Sequence, residues 1–299
     1  MAKKYKFILI ALPFIILLAA LVVYLSHHNI AVLNPAGQVS RKEKNLFMFA
    51  LGLSAIVVIP VFALTIMIAV KYREGNKKAK YTPNWDRSKL FESIWWGIPM
   101  VIIAILSVVT WNSSHALDPY KPIASKNPPV NIEVVALDWK WLFIYPEQNV
   151  ASVNRMAIPL NRPINLYITS ATVMNSFWVP NLSGQIYAMP GMTSQLHLMA
   201  DKAGSYYGSS ANISGSGFAG MNFMTVASSQ GSFNNWVHSA QSSSKLLDFN
   251  TSYKTLATPS QNNPVAYYSK VSNDLFDNVI DQTMGYSGMD SNTMNMEAN

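Results

Sequence analysis

The sequence predicts a membrane-anchored all-β protein: an N-terminal transmembrane helical hairpin, then an extracytoplasmic β-domain and a short, aromatic, α-helical C-terminal appendage. Three observations predict it. Two long runs, 46–70 and 93–111, carry no charged residue. From Val130 onward apolar residues recur at every second position, the period of a strand with one buried face. Only 12% of the 299 residues are charged, about half the share of an ordinary soluble domain.

The net charge of +7 is uneven. Residues 1–119 hold 13 Lys/Arg and 5 Asp/Glu, and residues 120–299 hold 9 and 10. The basic excess surrounds the apolar runs, which reads as a topology signal, and no basic stripe suited to nucleic acid follows. There is no cysteine, which excludes disulfides, thiolate metal sites, thiol nucleophiles and a lipidated cysteine.

Lys3, Lys4 and Lys6 precede an uncharged stretch from Phe7 to Leu25, so residues 1–28 read equally as a secretory signal or as an uncleaved anchor. Residues 29–118 read as a two-helix transmembrane domain. The 25-residue run 46–70 spans about 37 Å as a helix, enough to cross a bilayer with some tilt, and Pro60 sits within it. The loop 71–92, with seven Lys/Arg and three acids, belongs on the cytoplasmic side. The run 93–111 is flanked by Trp95, Trp96 and Trp111, suited to the two interfaces. Everything after about residue 112 then lies outside.

A Pro/Lys/Ser linker, 119–129, leads to the β-domain, 130–228. Ile132, Val134 and Ala136 alternate with Asn131, Glu133 and Val135; Ile164, Leu166 and Ile168 repeat the pattern. Turns such as Asn161-Arg-Pro163 punctuate it, arguing for an antiparallel sandwich or barrel. In the extension, 229–283, Phe233–Gln241 and Asp274–Met284 read as amphipathic helices around an aromatic core of their own. The tail, 284–299, is Met-rich and polar; its methionines could take Cu(I), though a solvated tail is the plainer reading.

Chemistry-bearing motifs are sparse. The five histidines show no ligand spacing, and His197 reads as a hydrogen-bonded or exposed strand residue. No Ser-His-Asp set, phosphate loop or paired carboxylates stand out in the β-domain, so no catalytic residue is assigned. In Asp138-Trp-Lys-Trp-Leu-Phe-Ile-Tyr145, the side chains Trp139, Trp141 and Tyr145 are either core packing or candidates for docking on a partner. Glu92, at the cytoplasmic mouth of the second run, is either an interfacial charge or the start of a proton path. Tyr206–Phe223 has the frame of a metal-wrapping loop with almost none of the ligands.

Four motifs together resemble subunit II of the haem–copper respiratory oxidases, over about Asn34 to Met284. Glu92 stands three residues before Trp95 and seven before Pro99; Asp138-Trp-Lys-Trp141 is the family's aromatic segment. Val173-Met-Asn-Ser-Phe-Trp-Val-Pro180 is similar to the segment that begins the copper site, and Tyr206–Phe223 to the loop that completes it. The resemblance implies a cupredoxin-like barrel. In the cytochrome c oxidases that barrel holds two coppers on two Cys, two His, a Met and a Glu carbonyl. Here the His positions are Asn175 and Phe218, the Cys positions Ser210 and Ser214, the Glu position Asn212, and only Met221 is kept. Dinuclear copper needs bridging thiolates, so no metal is expected on this chain.

The chain is especially similar to subunit II of the bo-type ubiquinol oxidases, which take electrons from a membrane quinol and need no copper entry port. Ser183-Gly-Gln-Ile-Tyr-Ala-Met189 and the aromatic extension add to that likeness. The resemblance implies a non-redox subunit of a proton-pumping quinol oxidase in a bacterial inner membrane. Its partners would be the lipid bilayer, catalytic subunit I and further subunits, with haem, copper and quinol held by the partner. It also implies that Glu92 opens a proton-uptake path. Two rivals remain: a membrane-anchored cupredoxin-like binding module, and a copper-dependent electron-entry subunit.

Overall fold

The computed structural model describes residues 30–285 except 81 and 83, with four isolated positions, 16, 20, 23 and 24, before them. The expectations for residues 1–28 and for the Met-rich tail beyond Gly285 lie outside the described residues. Among the described residues the chain forms two compact units, 42–121 and a second one that joins 30–41 with 122–285.

The first unit is helical. Helix α1 runs Gln38–Lys71 and α2 runs Lys89–Ala116, and both are long and apolar enough to cross a membrane. Each outreaches its uncharged run. Arg41, Lys42, Glu43 and Lys44 are good helix formers, so the helix continues through them. Ser88 caps α2, its Oγ accepting from the Phe91 N–H at 3.5 Å. Pro60 and Pro99 lie inside the helices.

The second unit is a two-sheet sandwich. In chain order its strands are β1 (Val130–Leu137), β2 (Lys140–Tyr145), β3 (Val150–Val153), β4 (Arg155–Pro159), β5 (Ile164–Ser170), β6 (Asn175–Trp178) and β7 (Ile186–Ala188). Then come β8 (Ser194–Leu198), β9 (Gly204–Ser210) and β10 (Asn222–Ser228). The extension adds α3 (Gln230–Gln241), β11 (Leu246–Leu247), the short α4 (Lys254–Ala257), β12 (Ala266–Tyr268), β13 (Lys270–Val271) and α5 (Leu275–Met284). One sheet has the order β12-β3-β2-β1-β5-β8 and the other β4-β10-β9-β6-β7. The sheets are mixed rather than antiparallel: β1 runs parallel to β5, and β4 to β10, because each pair is joined by chain that passes through other strands.

Alternation divides the side chains between two cores. The inner core lies between the sheets: Trp141, Phe143, Phe177 and Phe223 meet there, with the Phe177 and Phe223 rings stacked at 5.1 Å. Tyr145 Oη donates to the Ala157 carbonyl at 3.0 Å and accepts from the Ala157 N–H at 2.8 Å. The opposite face of the same strands is also buried. Val135, Leu137, Leu142 and Ile144 pack under the extension, against Tyr253, Tyr268, Leu275, Phe276 and Val279. The extension therefore has no separate aromatic core. Phe233 joins the inner core, with Trp236 and Tyr267 packed against it, and the other aromatic residues line the outer one.

Residues 31–41, which include the first turn of α1, group with the β-sandwich, whereas the sequence placed them with the two helices. The Ala36 N–H donates to Asn181 O at 2.8 Å, the Asp201 N–H to Ala36 O at 2.9 Å, and Ser40 Oγ to Asn181 O at 2.7 Å. Arg41 pairs with Asp201. These backbone groups would otherwise be unpaired, and the strap satisfies them.

Candidate functional site

The two segments singled out as the frame of a metal site meet at one end of the sandwich. Asn175 opens β6 and Ser210 closes β9, both buried. Ser210 Oγ lies 3.1 Å from Asn175 Oδ1 and 3.2 Å from the Asn212 carbonyl, and its single proton serves one of them at a time. Asn175 Nδ2 donates to Val173 O at 3.0 Å within its own segment, and Asn212 Nδ2 donates to Met174 O at 2.9 Å, lacing the two loops together. Ser214 Oγ points at the sulfur of Met221, 3.9 Å away, and Met221 is buried. Phe218 is half-buried and begins a tight turn, with the Met221 N–H donating to its carbonyl at 3.0 Å.

Trp139 fills the rest. Its indole Nε1 donates to Ser214 O at 3.0 Å. A Cβ built on Gly217 would come within 2.3 Å of the ring, and Gly215 has φ +117°, so these two glycines allow the ring to lie on the loop. A dinuclear copper centre does not fit this arrangement. Ser210 and Ser214 offer neutral hydroxyls already engaged with neighbours, Asn175 spends its amide on Ser210 and a carbonyl, and Phe218 offers no lone pair. No group of three or more His, Asp or Glu able to hold a metal occurs among the described residues.

Two of the three docking candidates move to the interior. Trp141 and Tyr145 are wholly buried, so they present no side-chain surface to a partner. Their strand is apolar because both of its faces are covered, not because one face awaits a protein. Trp139 is half-buried on the loop. Glu92 is exposed in the first turn of α2. His197 is buried at 7% exposure, its Nδ1 2.8 Å from Asn165 Oδ1.

Sequence reading missed Lys140. It is 1% exposed, yet its ammonium reaches Thr258 O at 2.9 Å, Ser260 Oγ at 2.6 Å and Asp138 O at 3.2 Å. Burial lowers its pKa, with the Asp138 carboxylate opposing. The Ser260 N–H donates to Asp138 O at 2.9 Å and the Trp139 N–H to Ser260 O at 3.2 Å. The extension is thereby tied to the hairpin that carries Trp139. The one signal was a charge at the head of an otherwise apolar strand.

Comparison with known proteins places this geometry. Residues 131–228 match the family described as cytochrome c oxidase subunit II, periplasmic domain, and residues 241–286 match the COX aromatic rich motif. Over 287 residues the chain is 50% identical to the cytochrome bo(3) ubiquinol oxidase subunit 2 of Pseudomonas putida, covering 96% of this chain and 88% of that one. The chain belongs to the quinol oxidase subunit 2 family. It is also 47% identical to the ubiquinol oxidase subunit 2 of Acetobacter aceti, over 89% of this chain and 86% of that one. With a quinol oxidase subunit 2 of Bacillus cereus the identity is 38%, over 73% and 76%. The cupredoxin-like fold and the aromatic extension expected from the sequence are those of this family. Its aromatic rich motif covers α5 and the loop that ties down Trp139.

Proposed function

We propose that this chain is the non-redox subunit 2 of a proton-pumping quinol oxidase. It would pack its two spanning helices on catalytic subunit I and cap that subunit's outer face with the β-domain. Quinol oxidation and the reduction of O₂ to water would take place at haem and copper centres in the partner. The observation that carries the reading is the Ser210–Asn175 pair: where an electron-entry subunit needs a thiolate and an imidazole, two neutral side chains hydrogen-bond each other inside the domain. A chain of this family without an electron port still has a scaffold to offer, and the laced loops and extension supply one.

The charge pattern supports a bacterial inner-membrane topology with the loop 72–88 in the cytoplasm and the β-domain in the periplasm. Glu92 then sits at the cytoplasmic entrance of α2, where a carboxylate can collect protons for the partner. Purification of the chain in mild detergent tests the reading. A haem-bearing large subunit should accompany it, quinol should drive O₂ uptake, and the complex should lack the paramagnetic signal of dinuclear copper. That signal would favour the electron-entry rival. Absence of any haem protein would favour a free binding module.

A further inference from the structure

Glu133 stands on the outer face of β1, between Ile144 of β2 and Tyr167 of β5. It opens into a cavity of about 310 Å³ between the sheet and the extension. Opposite it Asp274 stands at the N-cap of α5, in the left-handed region at φ 58° and without a side-chain capping hydrogen bond, and Asp277 follows in the first turn. The cavity wall holds these three carboxylates and no Lys, Arg or His.

The other facing groups do not offset them. From β2, Tyr145 has its hydroxyl engaged with Ala157, and Glu147 beyond it accepts from Asn131 Nδ2 at 3.1 Å. From β13 the wall receives Val271, with Lys270 outside the lining. Asn149 Oδ1 accepts from the Val271 N–H at 3.0 Å. Immediately beside the carboxylates, Leu275, Phe276 and Val279 are the residues that seat α5 on the sheet.

We propose that this cluster is an acid-sensitive latch: a proton on Glu133 tightens the seat of the C-terminal extension on the sheet, and ionisation of Glu133 loosens it. Like charges facing one another across a packed junction oppose closure, and one proton removes part of that opposition. Burial, and then the charges of Asp277 and Asp274, raise the pKa of Glu133 to about 7 from 4.5. The docked state therefore holds more protons than the opened one between these values. Docking weakens as pH rises through that window and is weakest above about 7. Its setting on the acidified side of a pumping membrane rests on the proposed function; the titration itself does not.

The test is amide exchange on the full chain within its detergent-solubilised complex, at about pH 5.5 and about pH 8, with protection corrected for intrinsic exchange. Protection over 275–284 should fall about tenfold at the higher pH relative to β5, a figure that allows for solvent screening of a partly accessible carboxyl. Glu133→Gln should hold the acid-side protection at both values. Asp277→Asn, which leaves Glu133 in place, should move the fall to lower pH. Protection that is level with pH in the unaltered chain, a fall that persists in Glu133→Gln, or a fall that Asp277→Asn leaves where it was would each overturn the latch.

Discussion

The indole of Trp139 rests on the backbone of Gly217, so close that a methyl group on that glycine would lie 2.3 Å from the ring. Ring and loop hold each other: the ring fills space, and its N–H closes the turn at Ser214 O, 3.0 Å away. Gly217→Ala should destabilise the domain by about 1–3 kcal/mol through overpacking. Trp139→Ala should cost about 2–3 kcal/mol, under the range for a fully buried tryptophan. The double variant should cost less than the two singles together, because the clash needs the ring. Denaturant unfolding of the four proteins measures this; strict additivity would refute a direct contact.

Lys140 predicts an alkaline response. Its pKa is lowered by burial in the folded domain, so the unfolded chain binds the proton more tightly. Between the lowered folded value and the ordinary lysine value, stability should rise with pH. Lys140→Met should remove that rise. It should also leave Thr258 O and Ser260 Oγ without their donor, at a cost of about 2 kcal/mol. Melting curves across the alkaline range, with and without the substitution, read both effects.

The strap at 31–41 separates two kinds of contact. Arg41 and Asp201 are partly exposed, at 48% and 25%, so Arg41→Ala should change stability by less than about 1 kcal/mol. Gly37 is different: a Cβ there would meet Leu182 O at 2.7 Å and Met199 O at 2.9 Å, neither of which can move freely. Gly37→Ala should release the strap, seen as faster amide exchange at Ala36 and Asp201. Equal effects from both substitutions would contradict this.

Glu92→Ala should slow turnover of the assembled oxidase and reduce protons moved per electron. Glu92→Asp should retain part of both. Oxygen uptake and pH change in reconstituted vesicles are the measurements. Unchanged values in Glu92→Ala would leave the side chain as a plain interfacial charge.

The spanning helices were legible because a run without charge has few other uses; their ends were not, because Arg41–Lys44 suit helix and loop alike. The alternation at Ile132, Val134 and Ala136 gave the strands, yet Val135 on the supposed wet face is wholly buried. Its cover is α5, more than a hundred residues later, and no local pattern reports such a neighbour. The same blindness made Trp141 and Tyr145 look available to a partner. Position by position, the resemblance named Asn175, Ser210, Asn212, Ser214, Phe218 and Met221; it could not say that Trp139 would occupy the loop beside them. Lys140 and the junction of Glu133 with Asp274 and Asp277 depend on segments that meet only in the folded chain.

The pairing of β12 with β3, Tyr268 opposite Ala151, has a consequence for the order of events during synthesis. The edge of the larger sheet and the apolar face at Val135 and Leu142 are completed by chain that is synthesised after β1 to β10. Until then the earlier strands present an open edge and a wet hydrophobic surface, the features that recruit chaperones or stray strands. A chain interrupted before Leu246 would possess β1 to β10, lack only β12 of the two sheets, and still be prone to aggregate. The C-terminal extension thus closes both the open sheet edge and the apolar outer face, so the fold of the earlier strands is finished only when this later segment docks.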